Sequence, residues 1–296
     1  MNNNRTGLLL AICGFAMLSV GDAVIKTMAG LWPVPAVAAL RFTIGAVALG
    51  ILLLRQEGVQ GFRPRYPWLQ LARGGSLAIS SLAFFSAIYV MPLAETMAIT
   101  FLSPVLTAVL SGPLLGERVR PAVWLASLAA LAGVVLILRP NLAELGWPAL
   151  LPLVAAVFFS LMIITNRASA GHGSPLAMQA YMAIIAAPLL IAVAMGTQWL
   201  GIEGMQFGWP SWDIVLRCTF VAFTATCAHW LVYLGTSRAG AAQIAPASYV
   251  QLLVASLLGW WFFGDVPDLL TIAGASIIIG AGLFLWRNSV RAHPGQ

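Results

Sequence analysis

Charge is what this chain has least of. Only 8% of its 296 residues are Asp, Glu, Lys or Arg, where a soluble domain carries about 25%. That shortage excludes an ordinary water-soluble fold. Lysine is reduced to a single residue, Lys26. Cysteine is scarce as well: Cys13, Cys218 and Cys227 all lie in apolar stretches without CxxC or other ligand spacing. They read as small buried hydrophobes, with neither a disulfide nor a metal site expected. G-x-S-x-G, H-E-x-x-H and a glycine-rich phosphate loop are missing, and the three histidines are scattered. No cofactor is expected, and the chain does not read as an enzyme. The string GASIIIGAG at 274–282 reads as a small-residue packing face, not a nucleotide site. No ATPase domain accompanies it, so this chain alone is not expected to drive primary active transport.

Apolar residues, by contrast, make up 60% of the chain. A membrane span needs about 20 of them in a row. Ten segments qualify: 7–30, 34–54, 68–90, 94–115, 121–138, 147–167, 175–195, 212–235, 241–263 and 269–286. They predict an all-α integral membrane protein of ten transmembrane helices. The start, MNNNRTGLLL, has the positive residue and apolar run of a signal peptide. The run continues past twenty residues, carries Asp22 and Lys26 and lacks a cleavage site, so it reads as a retained first helix. The net charge of +6 does not point to nucleic acid, because the arginines sit between spans. With the N-terminus inside, eleven arginines fall at cytoplasmic ends and two, Arg139 and Arg217, at outer ends. This bias predicts an inner (plasma) membrane protein with both termini cytoplasmic.

The stretch AETMAITFLSPVLTAVLSGPLLGERV, 94–119, carries the densest pattern. Thr96, Thr100, Ser103, Thr107 and Ser111 are spaced 4, 3, 4 and 4 apart, which puts five hydroxyls on one helical face. Pro104 interrupts that face and predicts a kink. The stretch recurs 148 positions later: Gly116-Glu117 maps onto Gly264-Asp265, Thr100 onto Ser248, Phe101 onto Tyr249, Ser103 onto Gln251 and Arg139 onto Arg287. Earlier segments repeat with slightly different offsets. SVGDAVIKTMAG (19–30) matches SLMIITNRASAG (160–171), setting Lys26 against Arg167, and Pro35 to Arg41 matches Pro175 to Tyr181. The chain therefore divides into two copies, 1–139 and 140–296. Five spans per copy is an odd number, so the copies are expected to enter the membrane from opposite sides, as in alternating-access transporters.

Two five-helix halves, the intramembrane Lys26, Arg41-Phe42 in the second span and LSPVLTAVLSGPLLGE in the fourth resemble the drug/metabolite transporter superfamily, EamA type, over essentially the whole chain. The second half departs from the pattern, with Leu252 where the proline would be and Asp265 in place of the glutamate. The resemblance implies a central cavity lined by spans 1–4 and 6–9, with spans 5 and 10 peripheral. It implies a secondary transporter of small organic metabolites, with amino-acid export, aromatic amino acids included, as in the YddG-like branch. Uptake or exchange of another metabolite, such as S-adenosylmethionine, riboflavin or a drug-like cation, is the alternative. A membrane-embedded enzyme or structural subunit is the reading from a different class.

Ionisable groups inside spans cost about 2.5–3.5 kcal/mol each, so each needs a reason. Asp22, Lys26, Arg41 and Glu95 fall in the outward half of the first copy. Asp22 and Lys26 are four apart and able to pair on one face. Either they form a structural ion-pair cluster with Lys26 and Arg41 snorkelling outward, or they gate the outer path, with Asp22 or Glu95 coupling protons. Their counterparts are Ile163, Arg167, Tyr181 and Gln243. Candidate cavity-lining residues are Phe85, with Phe84 and Tyr89, on span three; Thr100 and Ser103 on span four; His229, Trp230 and Tyr233 on span eight; and Tyr249 and Gln251 on span nine. Each alone suits core packing or an interfacial belt; converging, they suit a flat or amphipathic organic solute. The expected partners are that solute, the bilayer and, if a carboxylate titrates, protons. The protein is expected as a monomer or homodimer.

Overall fold

The structure is a computed structural model, and it describes residues 2–116, 121–169, 171–239 and 245–292. Eleven α-helices and no strand are found among these residues. They are α1 (Asn2–Lys26), α2 (Val34–Glu57), α3 (Pro67–Val90), α4 (Leu93–Thr100), α5 (Ser103–Leu115), α6 (Pro121–Leu145), α7 (Leu151–Ala168), α8 (Pro175–Trp199), α9 (Trp212–Ala239), α10 (Val250–Leu258) and α11 (Leu269–Ala292). Proline marks many of the starts. Pro35, Pro67, Pro104 and Pro175 each sit in a first helical turn, where the missing N–H would have had no partner anyway. Ser174 adds a side-chain cap to α8, accepting from the Ala177 N–H at 3.0 Å.

Seven helical stretches are long and apolar enough to cross a membrane, and Trp124–Leu138, Ala247–Phe263 and Leu269–Phe284 are shorter apolar helices. The chain is a multi-pass membrane protein. Pro104 does interrupt the helix of 94–119, while Pro113 lies inside α5. The chain turns at Phe101-Leu102, so that α4 and α5 are separate pieces of one apolar run. The aligned part of the second half is also irregular, with Leu252 in place of Pro104 and Pro246 six residues earlier. A 3₁₀ segment, Ala245–Tyr249, precedes α10, and a π-helical turn, Gly259–Phe263, follows it. Gly116 and Gly264, at aligned positions, both close their helices in the left-handed conformation (φ 70° and 68°), which a side chain would strain.

Each helix of the first half packs on one of the second: α1 along α9, α2 along α8, α3 and α5 along α7, α4 on α10 and α6 along α11. A single large core runs between them, including Ile25, Val37, Ile88, Leu93, Ile99 and Ile278. Hydrocarbon tails give helices little hydrophobic reason to associate, so close approach has to come from small residues. The α6–α11 crossing shows how close. A Cβ on Gly133 would stand 2.7 Å from the Gly274 carbonyl oxygen, and one on Gly274 would stand 2.5 Å from that of Gly133. The α1–α9 crossing uses Gly14 and Gly235 in the same way, against the Ala228 and Gly7 carbonyls.

Candidate functional site

Lys26 is the last residue of α1, and its ammonium reaches past the helix end. It donates to Asp265 Oδ2 at 2.6 Å and to the Met91 carbonyl at 3.1 Å, and it lies 4.8 Å from the Phe263 ring centroid. Asp265 Oδ2 also accepts from the Leu93 N–H at 3.3 Å, at the start of α4, where the helix dipole favours an anion. Three parts of the chain distant in sequence are thereby fastened together: the end of α1, the α3–α4 turn and the connection before α11. Both charged side chains are largely buried, at 12% and 18% exposure. The pairing of Lys26 with Asp22 is not what forms. Four-residue spacing permits that pair on a helix flank, but Asp265, the Met91 carbonyl and the Phe263 ring meet the ammonium where it leaves the helix.

Other contacts gather at this end of the bundle. Arg217 on α9 donates to the Thr27 carbonyl and hydroxyl at 2.9 Å and pairs with Asp213 at 2.9 Å. Tyr89 donates to the Trp32 carbonyl at 3.3 Å. A cavity of about 390 Å³ opens here, bounded by Trp32, Gln206, Phe207, Trp209 and Ser211 among others.

The remaining ionisable groups divide. Glu95 faces α11, where Thr271 Oγ1 lies 3.4 Å from its Oε1. Asp22 and Arg41 lie deeper than Lys26. The Arg41 guanidinium rests on the faces of Phe42 and Phe85, 4.5 Å and 5.3 Å from their centroids. Its charge reaches Asp22 on α1 and both Cys218 and His229 on α9. Asp22 and Arg41 are half-buried, and His229 is exposed.

The hydroxyl stripe is partly self-satisfied. Thr96, Thr100 and Thr107 donate to the carbonyls of Pro92, Thr96 and Ser103 at 3.1, 2.7 and 2.8 Å. Thr100 is half-buried. Ser103 is 5% exposed, and its carbonyl accepts from Ser160 of α7 at 2.9 Å. Phe85 is packed at 3% exposure beneath Arg41. Tyr249 packs its ring on Phe101, 5.3 Å between centroids, and its hydroxyl lies over Gly282. The Gln251 carbonyl accepts from the fully buried Ser19 on α1 at 2.9 Å. Trp230 is 53% exposed. The structure thus gathers Phe85, Arg41, Asp22 and His229 in one neighbourhood and carries Tyr249 to the α11 side. Glu117, Arg118 and Gln243, and the side chains of Arg139, Arg167, Tyr233 and Arg287, lie outside the described residues.

Two residues were not singled out by sequence. Asp265 was visible as the acidic member of the repeated Gly-Glu/Gly-Asp pair, but nothing in one dimension pointed it at Lys26. Arg73, counted among the arginines that set topology, is 3% exposed on α3. Its Nε donates to Asn166 Oδ1 at 2.6 Å, and its Nη1 contacts Met178 Sδ at 3.0 Å and Gln70 Oε1. No carboxylate pairs with it among the described residues. Its position several residues inside an apolar helix was the available signal.

Comparison with known proteins agrees with this architecture. The EamA-like transporter family matches residues 5–139 and again residues 146–287. A riboflavin transporter of Rhizobium johnstonii is 26% identical over 83% of this chain and 79% of its own length. The pseudopaline exporter CntI of Pseudomonas aeruginosa is 28% identical over 96% of this chain and 97% of its own. An S-adenosylmethionine uptake transporter of Rickettsia prowazekii is 24% identical over 96% and 95%. With both halves matched, this chain belongs to the EamA-like transporter family of the drug/metabolite transporter superfamily, and is a membrane transporter of small metabolites rather than an enzyme.

Proposed function

We propose that the protein is a secondary transporter working by alternating access between two inverted five-helix halves of a ten-span bundle, with Lys26 and Asp265 forming the extracellular closure. The observation that carries this reading is the 2.6 Å Lys26–Asp265 contact, which ties the first half to the second across a largely buried junction. The packing is consistent with inversion. Exchanging the halves turns the α1–α9 contact into α7–α3, while α2–α8, α4–α10 and α6–α11 each join a helix to its counterpart. Phe101 and Tyr249, aligned by the repeat, meet ring to ring. Broken spans are the usual makers of transporter sites, and both copies have one.

In this reading Lys26 gates, Glu95 supports the gate from the α11 side, and Asp22 and Arg41 lie on the path below it. Thr100, Ser103, Phe85, His229, Trp230, Tyr233, Tyr249 and Gln251 are the proposed walls, some exposed to the path only when the halves rearrange. The proposed cargo is an amino acid, aromatic ones included, moved outward across the inner membrane. Uptake or exchange of a larger metabolite is the second reading, favoured by relatives named for riboflavin and S-adenosylmethionine. Purified protein in liposomes, offered radiolabelled phenylalanine, riboflavin and S-adenosylmethionine, is expected to give saturable flux of at least one. Flux no greater than in protein-free vesicles for all three would remove the reading. If Asp22 or Glu95 couples protons, Asp22→Asn or Glu95→Gln flattens the response of flux to a pH gradient.

The topology is separately testable. Reporter fusions after Gln60 and at the C-terminus are expected to report cytoplasm, and one after Gly204 the outside. Residue 60 and the C-terminus on opposite sides would refute ten spans.

A further inference from the structure

The end of the bundle opposite the Lys26–Asp265 contact is also closed, by different chemistry. Arg73 stands near the start of α3, and the Met91 carbonyl that meets Lys26 lies just past the end of that helix. At 1.5 Å per residue the two are about 27 Å apart. Around Arg73 the first half is fastened to the second repeatedly. Its Nε donates to Asn166 Oδ1 on α7 at 2.6 Å, and its Nη1 meets Met178 Sδ on α8 at 3.0 Å. The Ser174 hydroxyl, at the start of α8, donates to Glu57 at the end of α2, and the Tyr181 hydroxyl donates to the Gly61 carbonyl. The Tyr66 and His172 rings meet edge to face, 4.7 Å between centroids. Gly74 brings α3 so near α8 that a Cβ there would stand 2.5 Å from Ile185.

What Arg73 lacks is a carboxylate. Its acceptors are the amide oxygens of Asn166 and Gln70 and the Met178 thioether, all neutral, and no acidic side chain pairs with it among the described residues. A thioether is moreover a weak acceptor. At 3% exposure, the guanidinium has given up water without the opposite charge that offsets such a loss. A contact kept for stability alone gains from a carboxylate at this place; a contact that must open does not. When α3 parts from α7 and α8, the guanidinium recovers its hydration, and Asn166 exchanges one neutral hydrogen bond for another. At the Lys26 end, by contrast, opening separates two opposite charges. We infer that Arg73 is the gating residue of the end opposite Lys26, cytoplasmic in the proposed topology, with Asn166 as a latch whose neutrality lets the end open. The inference rests on the alternating-access reading and adds the second closure that such a cycle requires.

Asn166→Asp tests this at nearly constant shape. It puts a carboxylate where the amide oxygen lies 2.6 Å from Arg73 Nε, and so supplies the missing ion pair. The end is then expected to stay shut, with flux in liposomes at least about tenfold lower and Tm raised. Asn166→Ala removes the Nε acceptor and is expected to act the other way on access. Access is read at Ser80→Cys, with the native cysteines replaced and an impermeant thiol reagent added to inside-out vesicles. Ser80 is 5% exposed, its hydroxyl donates to the Ala155 carbonyl on α7 at 2.9 Å, and it lies about 10 Å deeper than Arg73 on α3. Labelling should be slower than in the otherwise unaltered protein with Asn166→Asp and faster with Asn166→Ala. A merely structural contact predicts that Asn166→Asp, better paired, keeps its flux and its labelling rate. That result, or labelling shifted in the same direction by both variants, overturns the gate and leaves transport standing. Should Asn166→Asp fail to fold, Asn166→Ala decides alone, and labelling no faster than before overturns the gate. Opposite shifts in a protein that carries none of phenylalanine, riboflavin and S-adenosylmethionine sustain the gate and remove the proposed cargoes instead.

Discussion

Lys26→Met is expected to lower flux at least tenfold and to destabilise the protein by about 2–4 kcal/mol. Removing one partner of a fully buried pair costs ~3–5 kcal/mol, because the other charge is left without compensation. Both groups here keep some exposure, 12% and 18%, which lowers the figure. The stranded group would be Asp265, retaining only the Leu93 N–H. The double change Lys26→Met with Asp265→Asn strands no charge and is expected to recover the folding loss. The two roles then separate. A merely structural contact predicts that the double variant also recovers transport. A closure predicts a folded protein that no longer seals. A cysteine at Ser19, fully buried and about 10 Å deeper at 1.5 Å per residue, reports the seal. With the native cysteines replaced, an impermeant thiol reagent added outside should label Ser19→Cys slowly with the contact intact and rapidly without it. A fully active Lys26→Met protein would defeat the gate.

Gly133→Ala and Gly274→Ala should each cost about 1–3 kcal/mol of stability, read as a fall in Tm in detergent. Ordinary van der Waals contact begins near 3.4 Å, while the added methyls would meet main-chain carbonyls at 2.7 and 2.5 Å. A backbone oxygen inside a helix cannot swing aside, so α6 and α11 must separate. Because both substitutions prise open the same crossing, the double variant should cost less than the sum of the two. Gly45→Ala is the control. It lies within α2 with nothing within 4 Å of the new methyl, and removing its excess backbone freedom should be neutral or stabilising by up to about 1 kcal/mol. A neutral Gly274→Ala would show that the crossing is looser than its geometry.

Much of this protein was determined by sequence alone, for a physical reason. In a bilayer every backbone polar group must be satisfied within its own segment, so runs of about 20 apolar residues become helices whatever surrounds them. Helix class, membrane insertion, the duplication and the break near Pro104 were legible in this way. The break before α10 was less plain: Leu252 stands where the first half has Pro104, and Pro246 lies six residues earlier, in the 3₁₀ segment. What tertiary structure alone decided is which charges meet. Spacing along α1 offered Lys26 the carboxylate of Asp22, four residues away. The folded chain offered Asp265, 239 residues away, because the two halves bring the ends of their helices to the same place. Asp22 was thereby left without Lys26 as its partner. Helical periodicity orders side chains around one axis. It carries no information on which other helix lies opposite, and that is set by where small residues such as Gly133 and Gly274 let two backbones touch.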